Sequence, residues 1–471
     1  MNIQPVILST DALLYLLMVV FVVVAWRVSR REHLRAPWRQ VARSRMGMCA
    51  LVVLLPYIFI GLLDSVHFRE VLPQVKGQLG GDQYSTEVLS VLDKIAAPLR
   101  EHDEKTYSAP FATHLYVKET VEKQDGSQAR EFPRLRYGGA HLNDPMHEKA
   151  SDIFATALKG FTIGLVIWIM LGVIIVASLA RRSRVAYKAM LSKMLRGTME
   201  VPWRVILLTA GVLILFVTVS AELSVKYHLL GTDKVGQDVF YLTLKSIRTG
   251  LVIGTLTTLI MLPFAVLLGI MAGYFRGIVD DVVQYLYTTL NSIPGVLLIA
   301  AAILMLQVYM ATHEEMFDTV AQRADLRLLF LCIILGITSW TSLCRLLRGE
   351  TLKLREMDYI QAATAFGVGH FKIITRHILP NVMHIVLITI VLDFSGLVLA
   401  EAVLAYVGVG VDPSTISWGN MINSARLEMA REPMVWWPLL AAFVFMLTLV
   451  LAANLFSDTV RDAFDPRLRK L

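Results

Sequence analysis

Long apolar runs separated by short polar segments dominate the chain. A bilayer crossing takes about 20 apolar residues as helix. Runs of that kind fall at roughly 12–26, 46–64, 158–180, 204–223, 249–275, 284–310, 326–345, 382–405 and 436–458,. The pattern predicts nine membrane-spanning helices, and it excludes a soluble helical protein, whose core helices seldom run so far without charge. One long polar insertion, residues 67–157, interrupts the series. Within it Ser85 is placed to cap a helix whose apolar positions Val88, Val91, Leu92, Ile95 and Leu99 share a face,. Gly138-Gly139 marks a turn,. Asn143-Asp144-Pro145 reads as a helix start, with Pro at the first helical position, leading into the third run,. The insertion is therefore expected to fold as a small extracytoplasmic domain.

Composition agrees with the membrane assignment: 55% hydrophobic, 18% charged and a mean hydropathy of +0.58,. Charge adds orientation. Arg27, Arg30, Arg31, Arg35, Arg39, Arg43 and Arg45 follow the first run against one acid, Glu32. Arg181, Arg182, Arg184, Lys188, Lys193, Arg196 and Arg204 follow the third, against Glu200. Such segments stay in the cytoplasm. Residues 1–11 carry no Lys or Arg, so the N-terminus is expected outside and the first run is expected to be a retained helix, not a signal peptide,. Alternation places 346–381 and the C-terminal tail inside, and 224–248, 311–325 and 406–435 outside. The net charge of +7 is thus topological and does not point to nucleic acid,. Cys49, Cys332 and Cys344 lie in or beside apolar runs without metal spacing,. The chain divides into 1–66 (two helices and a basic loop), 67–157 (the insertion), 158–203 (a third helix and a basic linker) and 204–471 (six helices).

The inner loop 346–381 carries the most information. Met357-Asp358-Tyr359-Ile360-Gln361-Ala362-Ala363-Thr364-Ala365-Phe366-Gly367 is helical by composition and ends at a Gly,. His370 to Ile378 forms a second, apolar-basic helix, and Leu379-Pro380 is expected to break the chain before the next span,. Two short helices joined at a Gly make a compact knob, suited to a partner's groove or to lying on headgroups.

Three further segments are ordered around it. His228-Leu229-Leu230-Gly231-Thr232-Asp233-Lys234-Val235-Gly236-Gln237-Asp238-Val239-Phe240 suits a tight, hydrogen-bonded outer loop, and Ser246 to Leu251 continues it,. Glu401 to Pro413 is followed by Ser417-Trp418-Gly419-Asn420-Met421. The tail runs from Asp458 through Asp465-Pro466-Arg467-Leu468-Arg469. Together with the inner loop, whose Ala-Ala, Gly and Leu-Pro spacing is that of the "EAA" loop, these segments resemble permease subunits of bacterial ABC importers in the dipeptide, oligopeptide and nickel branch. Gln361 stands in place of that motif's Glu, and Gln237 in place of an Arg. The resemblance covers the C-terminal part, 204–471.

The resemblance implies an all-α polytopic membrane protein: a six-helix type I ABC-importer permease core plus three extra N-terminal helices and the extracytoplasmic domain. It implies a bacterial inner-membrane location and import of di- or oligopeptides or similar solutes. The implied partners are a homologous second permease, two ATP-binding-cassette ATPases and a solute-binding protein. Tyr359, Gln361, Ala362, Ala363, Gly367, Leu379 and Pro380 would form the ATPase-coupling loop. Gly231, Thr232, Asp233, Gly236, Asp238, Trp418, Gly419 and Asn420 would form the extracytoplasmic gate. The sequence contains no GxxxxGK[ST], HExxH or GxSxG,. No catalytic residue, metal or cofactor is therefore assigned to this chain, and ATP and Mg belong to the partners. Asp393 and Glu401 lie eight residues apart in the eighth run, on one broad face,; they suit a lining of the translocation path or a gating role. Ion-coupled secondary transport through such carboxylates, or a membrane sensor or scaffold using 67–157, are the other function classes open to a chain of this kind.

Overall fold

A computed structural model describes residues 3–30, 32–71, 84–122, 128–313, 315 and 319–464. The last part of the tail motif, Asp465 to Arg469, lies outside the described residues. Nine helical segments among the described residues are long and apolar enough to cross a membrane. The N-terminal part comprises strand β1 (Ile3–Val6), helix α1 (Ser9–Ser29), the amphipathic α2 (Glu32–Arg43) and α3 (Arg45–Asp64). The insertion holds β2 (His67–Glu70), β3 (Leu89–Ser90), two single-turn helices α4 (Val91–Ile95) and α5 (Ala97–Glu101), and the hairpin β4 (Glu119–Glu122) and β5 (Gln128–Glu131). Strand β1 pairs antiparallel with β2, Ile3 opposite Glu70, so the N-terminal segment is stitched to the insertion.

The expected cap at Ser85 is displaced. Ser85 Oγ accepts only from the nearby Glu87 N–H, and the helix begins at Val91. There Ser90 and Asp93 form a reciprocal capping box, which satisfies two backbone donors where Ser85 offers one,. Asp144 does cap α6 (Pro145–Ser183), which runs without interruption from the insertion through the third span.

A short turn leads to α7 (Tyr187–Arg196), and α8 (Trp203–Ser224) packs along α6. Helix α9 (Val239–Phe275) starts ten residues before the expected span because Asp238 caps it, accepting from Phe240 and Tyr241 N–H. The run expected at 284–310 is two helices, α10 (Gly277–Ser292) and α11 (Gly295–Thr312). Pro294 supplies no N–H and forces Ile293 into extended backbone,. Conversely, α12 (Val320–Ser339) continues through Trp340 into α13 (Thr341–Arg355), ten residues past the expected end.

The remaining elements are α14 (Asp358–Ala365), α15 (His370–Ile373), a π-turn at Ile374–Ile378, α16 (Leu379–Tyr406), α17 (Trp418–Glu428) and α18 (Trp437–Phe464). Leu379-Pro380 does not break the chain. The π-turn, with Leu379 N–H reaching Ile374 O, widens the helix just ahead of Pro380 and relieves the ring's clash with the preceding turn,. Residues His370–Tyr406 therefore form one continuous span.

The molecule has two distinct ends. At one, the insertion meets the starts of α9 and α18. At the other, Trp38 of α2 stacks edge-on against Phe464, and Val41 is buried with Val460 and Ala463. Arg43 of α2 pairs with Glu200 at 2.9 Å, so the two basic segments share that end. The α14 knob lies at the far end of α9 from the insertion, where Tyr274 Oη meets His370 Nδ1 at 2.8 Å.

The N-terminal helices are not a loose appendage. Helix α3 packs on α8, α9 and α18, and α1 packs on α12 and α9. Two ion clusters fasten them. Arg248 of α9, 9% exposed, donates to Asp11 of α1 through Nη2 (2.6 Å) and Nε (3.2 Å) and lies 3.6 Å from Asp325 of α12. Asp325 also accepts from the Thr10 N–H (3.1 Å) and hydroxyl, and Asp11 meets His67 Nδ1 at 2.7 Å. One turn earlier Lys245 pairs with Asp93 of α4 and lies 3.7 Å from Asp64 at the end of α3. Removing one member of a buried ion pair strands the other and costs about 3–5 kcal/mol. Arg248→Ala is therefore expected to lower the thermal unfolding midpoint of the purified protein sharply and to release the first span to proteolysis. An unchanged midpoint and cleavage pattern would show that the cluster does not hold α1.

Candidate functional site

The knob is built by a helix too short to bury itself. Ile360 is its one fully buried residue, packed with Leu354, Ile373 and Ile378, and Ala363 rests against the same cluster. Its other face is open. Gln361, Ala362 and Gly367 are exposed and Ala363 is partly covered. Phe366 and Phe371 are 88% and 80% exposed. Gly367 ends the helix at φ +74°, a left-handed conformation that suits glycine, with Val368 N–H closing back on Ala363 O,. Tyr359 is half-exposed, and its Oη accepts from Asn381 Nδ2 at 3.1 Å, tying the knob to the start of α16. Gln361 donates to Glu356 O at 3.2 Å, so the amide in place of the motif's Glu caps a local carbonyl. Glu356 in turn pairs with Arg276 just after α9. Leu379, partly buried, and Pro380, exposed, open α16 directly after the π-turn. Sequence reasoning missed Phe366 and Phe371; aromatic residues flanking the Gly at a loop's turn were the signal available.

The outer loop is clamped from both sides. Thr232 is fully buried. Its hydroxyl donates to Thr106 O (2.8 Å) and accepts from Ser108 N–H (2.7 Å), both in the insertion, while its carbonyl accepts from Trp437 Nε1 (2.9 Å). Asp233 folds the turn by accepting from Val235 and Gln237 N–H. Gly231 O accepts from Val239 N–H. Gly236 holds φ +85°, and its carbonyl accepts from Glu104 N–H; a Cβ there would meet the Glu104 carbonyl oxygen at 1.7 Å. Behind the loop, buried His228 lies between Asp238, 2.7 Å from Nδ1, and Glu104, 3.5 Å from Nε2. Burial opposes the imidazolium, but the two carboxylates outweigh it and raise the His228 pKa to about 9,. Burial likewise opposes charge on Glu104, yet His228 and the N–H groups of Arg136, Tyr137 and Gly138 bring it down to about 2. Tyr107 and Leu99 of the insertion share one hydrophobic core with Trp418 and Trp437.

The third segment closes on the same place. Ser417 caps α17 and donates to Glu401 Oε1 at 2.9 Å. Trp418 Nε1 donates to Thr243 O of α9, Gly419 packs against the Glu401 carboxylate, and Asn420 Nδ2 ties Asp412 O to Thr415 O. A cleft of about 210 Å³ separates this segment from the outer loop, with Gln237, Asp233, Asn420 and Tyr107 in its walls. Glu401 and Asp393 are not brought together. Glu401 is buried under α17, whereas Asp393 is half-exposed and makes no hydrogen bond or ion pair among the described residues. An offset of eight residues is about 80° around a helix, enough to turn one carboxylate under α17 and leave the other partly exposed.

The motifs that build this architecture have counterparts in known proteins. Residues 265–470 match the model of the family described as binding-protein-dependent transport system inner membrane component. The glutathione transport system permease protein of Pectobacterium atrosepticum is 31% identical over 243 residues, 51% of this chain and 73% of the relative. The oligopeptide transport system permease protein of Mycobacterium tuberculosis is 32% identical over 244 residues, 52% and 77%. The dipeptide transport system permease protein of Bacillus subtilis is 28% identical over 243 residues, 52% and 70%. The chain belongs to this permease family. It is a multi-pass inner-membrane permease subunit of an ATP-binding-cassette transport system. The family match begins inside α9, after the clamped loop. In this permease that loop bonds to Glu104, Thr106 and Ser108 of the insertion, and Arg248 to Asp11 of the N-terminal part.

The clamp has a defined pH dependence. His228 is raised from an ordinary value of about 6.5 to about 9 when folded, so its contribution is complete below the first value and is lost as pH rises through the second. Glu104, depressed to about 2, contributes above its ordinary ~4.3 and loses that only as pH falls through the depressed value. Each unit of such a shift corresponds to about 1.4 kcal/mol. The unfolding midpoint is expected to fall between about pH 7 and 10, and His228→Gln is expected to flatten that decline. A variant that follows the wild-type profile would remove His228 as its cause.

Proposed function

We propose that this permease imports peptides, from dipeptides to oligopeptides, and that the α14 knob couples the movement to ATP hydrolysis on partner chains. The open, aromatic-tipped knob carries this reading, supported by the dipeptide, oligopeptide and glutathione permeases among the relatives. One of two ATPase subunits would receive Tyr359 to Gly367, with Phe366 and Phe371 as the apolar contacts. ATP and Mg would be held by those subunits and not by this chain. A homologous permease would complete the pore, and a solute-binding protein would deliver cargo at the insertion end. The knob and both basic segments share one end, which by the positive-inside rule would face the cytoplasm, with residues 1–8 and the insertion outside and the C-terminus inside,.

In this mechanism the knob moves and α9 transmits. Tyr274–His370 and Arg276–Glu356 link the knob region to one end of α9. At 1.5 Å per residue its 37 residues make a rod of about 55 Å, whose other end is the Asp238 cap in the clamped loop. Tilting of such rods switches access from one side to the other. Glu401 and the cap of α17 would steady the outer gate. Asp393, partly exposed, would face the path.

Phe366→Ala is expected to weaken ATPase association by roughly 30-fold, as for a central aromatic contact worth about 2 kcal/mol, and to reduce peptide uptake in vesicles correspondingly. Gly367→Val should abolish uptake while membrane insertion stays normal, because the left-handed conformation is closed to a β-branched residue. Normal uptake by both variants would refute the coupling role of the knob.

A further inference from the structure

The sequence around α7 supplies more positive charge than the rest of the fold uses. Arg181, Arg182 and Arg184 end α6, and Lys188, Lys193 and Arg196 follow on α7. All six are exposed, and none makes an ion pair among the described residues. The single acid between residues 181 and 204 is Glu200, which is engaged by Arg43.

Orientation of a span requires only that such charges be present; a loose string of them suffices. Here they are held on a folded surface. Arg184 adopts a left-handed conformation at φ 51° and reverses the chain after α6, and Gly197 at φ 70° reverses it again after α7. Between the two reversals Met190 and Met194 are buried against Val176, Ala180 and Leu207 of the two flanking spans. Helix α7 is thus fixed against the ends of α6 and α8, with its basic face outward. Tyr187 and Leu195, 39% and 61% exposed, lie beside the cations. A basic face with adjacent apolar side chains, set at the end of two spans, matches the layer where phosphodiester headgroups meet acyl chains.

We propose that α7 and the end of α6 form a binding platform for anionic phospholipid headgroups, and that this platform anchors the α6–α8 pair at the leaflet shared with the knob. Guanidinium groups at Arg182 and Arg196 suit bidentate contact with phosphate oxygens, and Lys188 and Lys193 add point charges. The platform's partner is recognised by negative charge and by its place in the bilayer; the cargo reading is independent of it.

The test uses the full chain purified in a neutral detergent, with thermal unfolding followed as phosphatidylglycerol, phosphatidylcholine or inorganic phosphate is added. Phosphatidylglycerol is expected to raise the midpoint, and the other two to leave it unchanged. The triple variant Lys188→Gln, Lys193→Gln, Arg196→Gln should need roughly tenfold or more phosphatidylglycerol for the same rise, since each cation near an anionic surface contributes about 1 kcal/mol. The charge-preserving pair Lys188→Arg, Lys193→Arg should respond as wild type. If the triple variant is already unfolded without lipid, single Lys188→Gln and Lys193→Gln proteins supply the same comparison. Equal stabilisation by phosphatidylcholine, an undiminished response in the neutralised variants, or full stabilisation by inorganic phosphate would each overturn the proposal. So would a variant that keeps its lipid response but no longer co-purifies with an ATPase subunit, which would assign the surface to a protein.

Discussion

A guanidinium inside a membrane protein needs carboxylates, and Arg248 takes them from two directions. Asp11 comes from the first helix and Asp325 from the core. Because the desolvation of each charge is offset only by the others, α1, α9 and α12 have one compatible arrangement,. Lys245, one turn away, applies the same condition to α3 and α4 through Asp64 and Asp93. The N-terminal helices, whose sequence carries no family motif, are thereby fixed by the same helix that carries the family's outer segment.

That helix also joins the two ends of the molecule. One end is hydrogen-bonded to the knob region, and the other begins in a loop pinned by Thr232, Gly236 and His228. The insertion contributes Glu104, Thr106 and Ser108 to that loop and Tyr107 to the core beneath it. The outer loop, the insertion and the start of α18 consequently behave as one packed body. The knob, held in the core by little more than Ile360, is the opposite case: a small element with most of its apolar surface still uncovered.

Much of this was legible from sequence, and the reasons are specific. Hydropathy located every span because lipid demands long apolar stretches. Asp144-Pro145 and the Gly367 stop were legible because their effects are local. What failed depended on competition or distance. Ser85 lost to Ser90 because a reciprocal box satisfies more donors. Pro380 did not break the helix because a π-turn absorbed it. Pro294 divided an apolar run, and the Asn291-Ser292 and Pro294-Gly295 signals of that break were outweighed by the hydropathy on either side,. The different surroundings of Asp393 and Glu401 were not legible, because sharing a broad face does not say which carboxylate a neighbouring helix covers. The partners of Arg248 and the pairing of β1 with β2 had no local signature.

Chain order gives the Arg248 cluster a temporal side. Asp11 is synthesised 237 residues ahead of Arg248. At about 5–20 residues per second that interval is on the order of ten seconds. During it, the side chain that hydrogen-bonds Asp11 in the finished protein and is made first is His67, 56 positions later. The first span is therefore complete long before the cation that pairs with Asp11 exists, and that contact has to wait until α9 has been made.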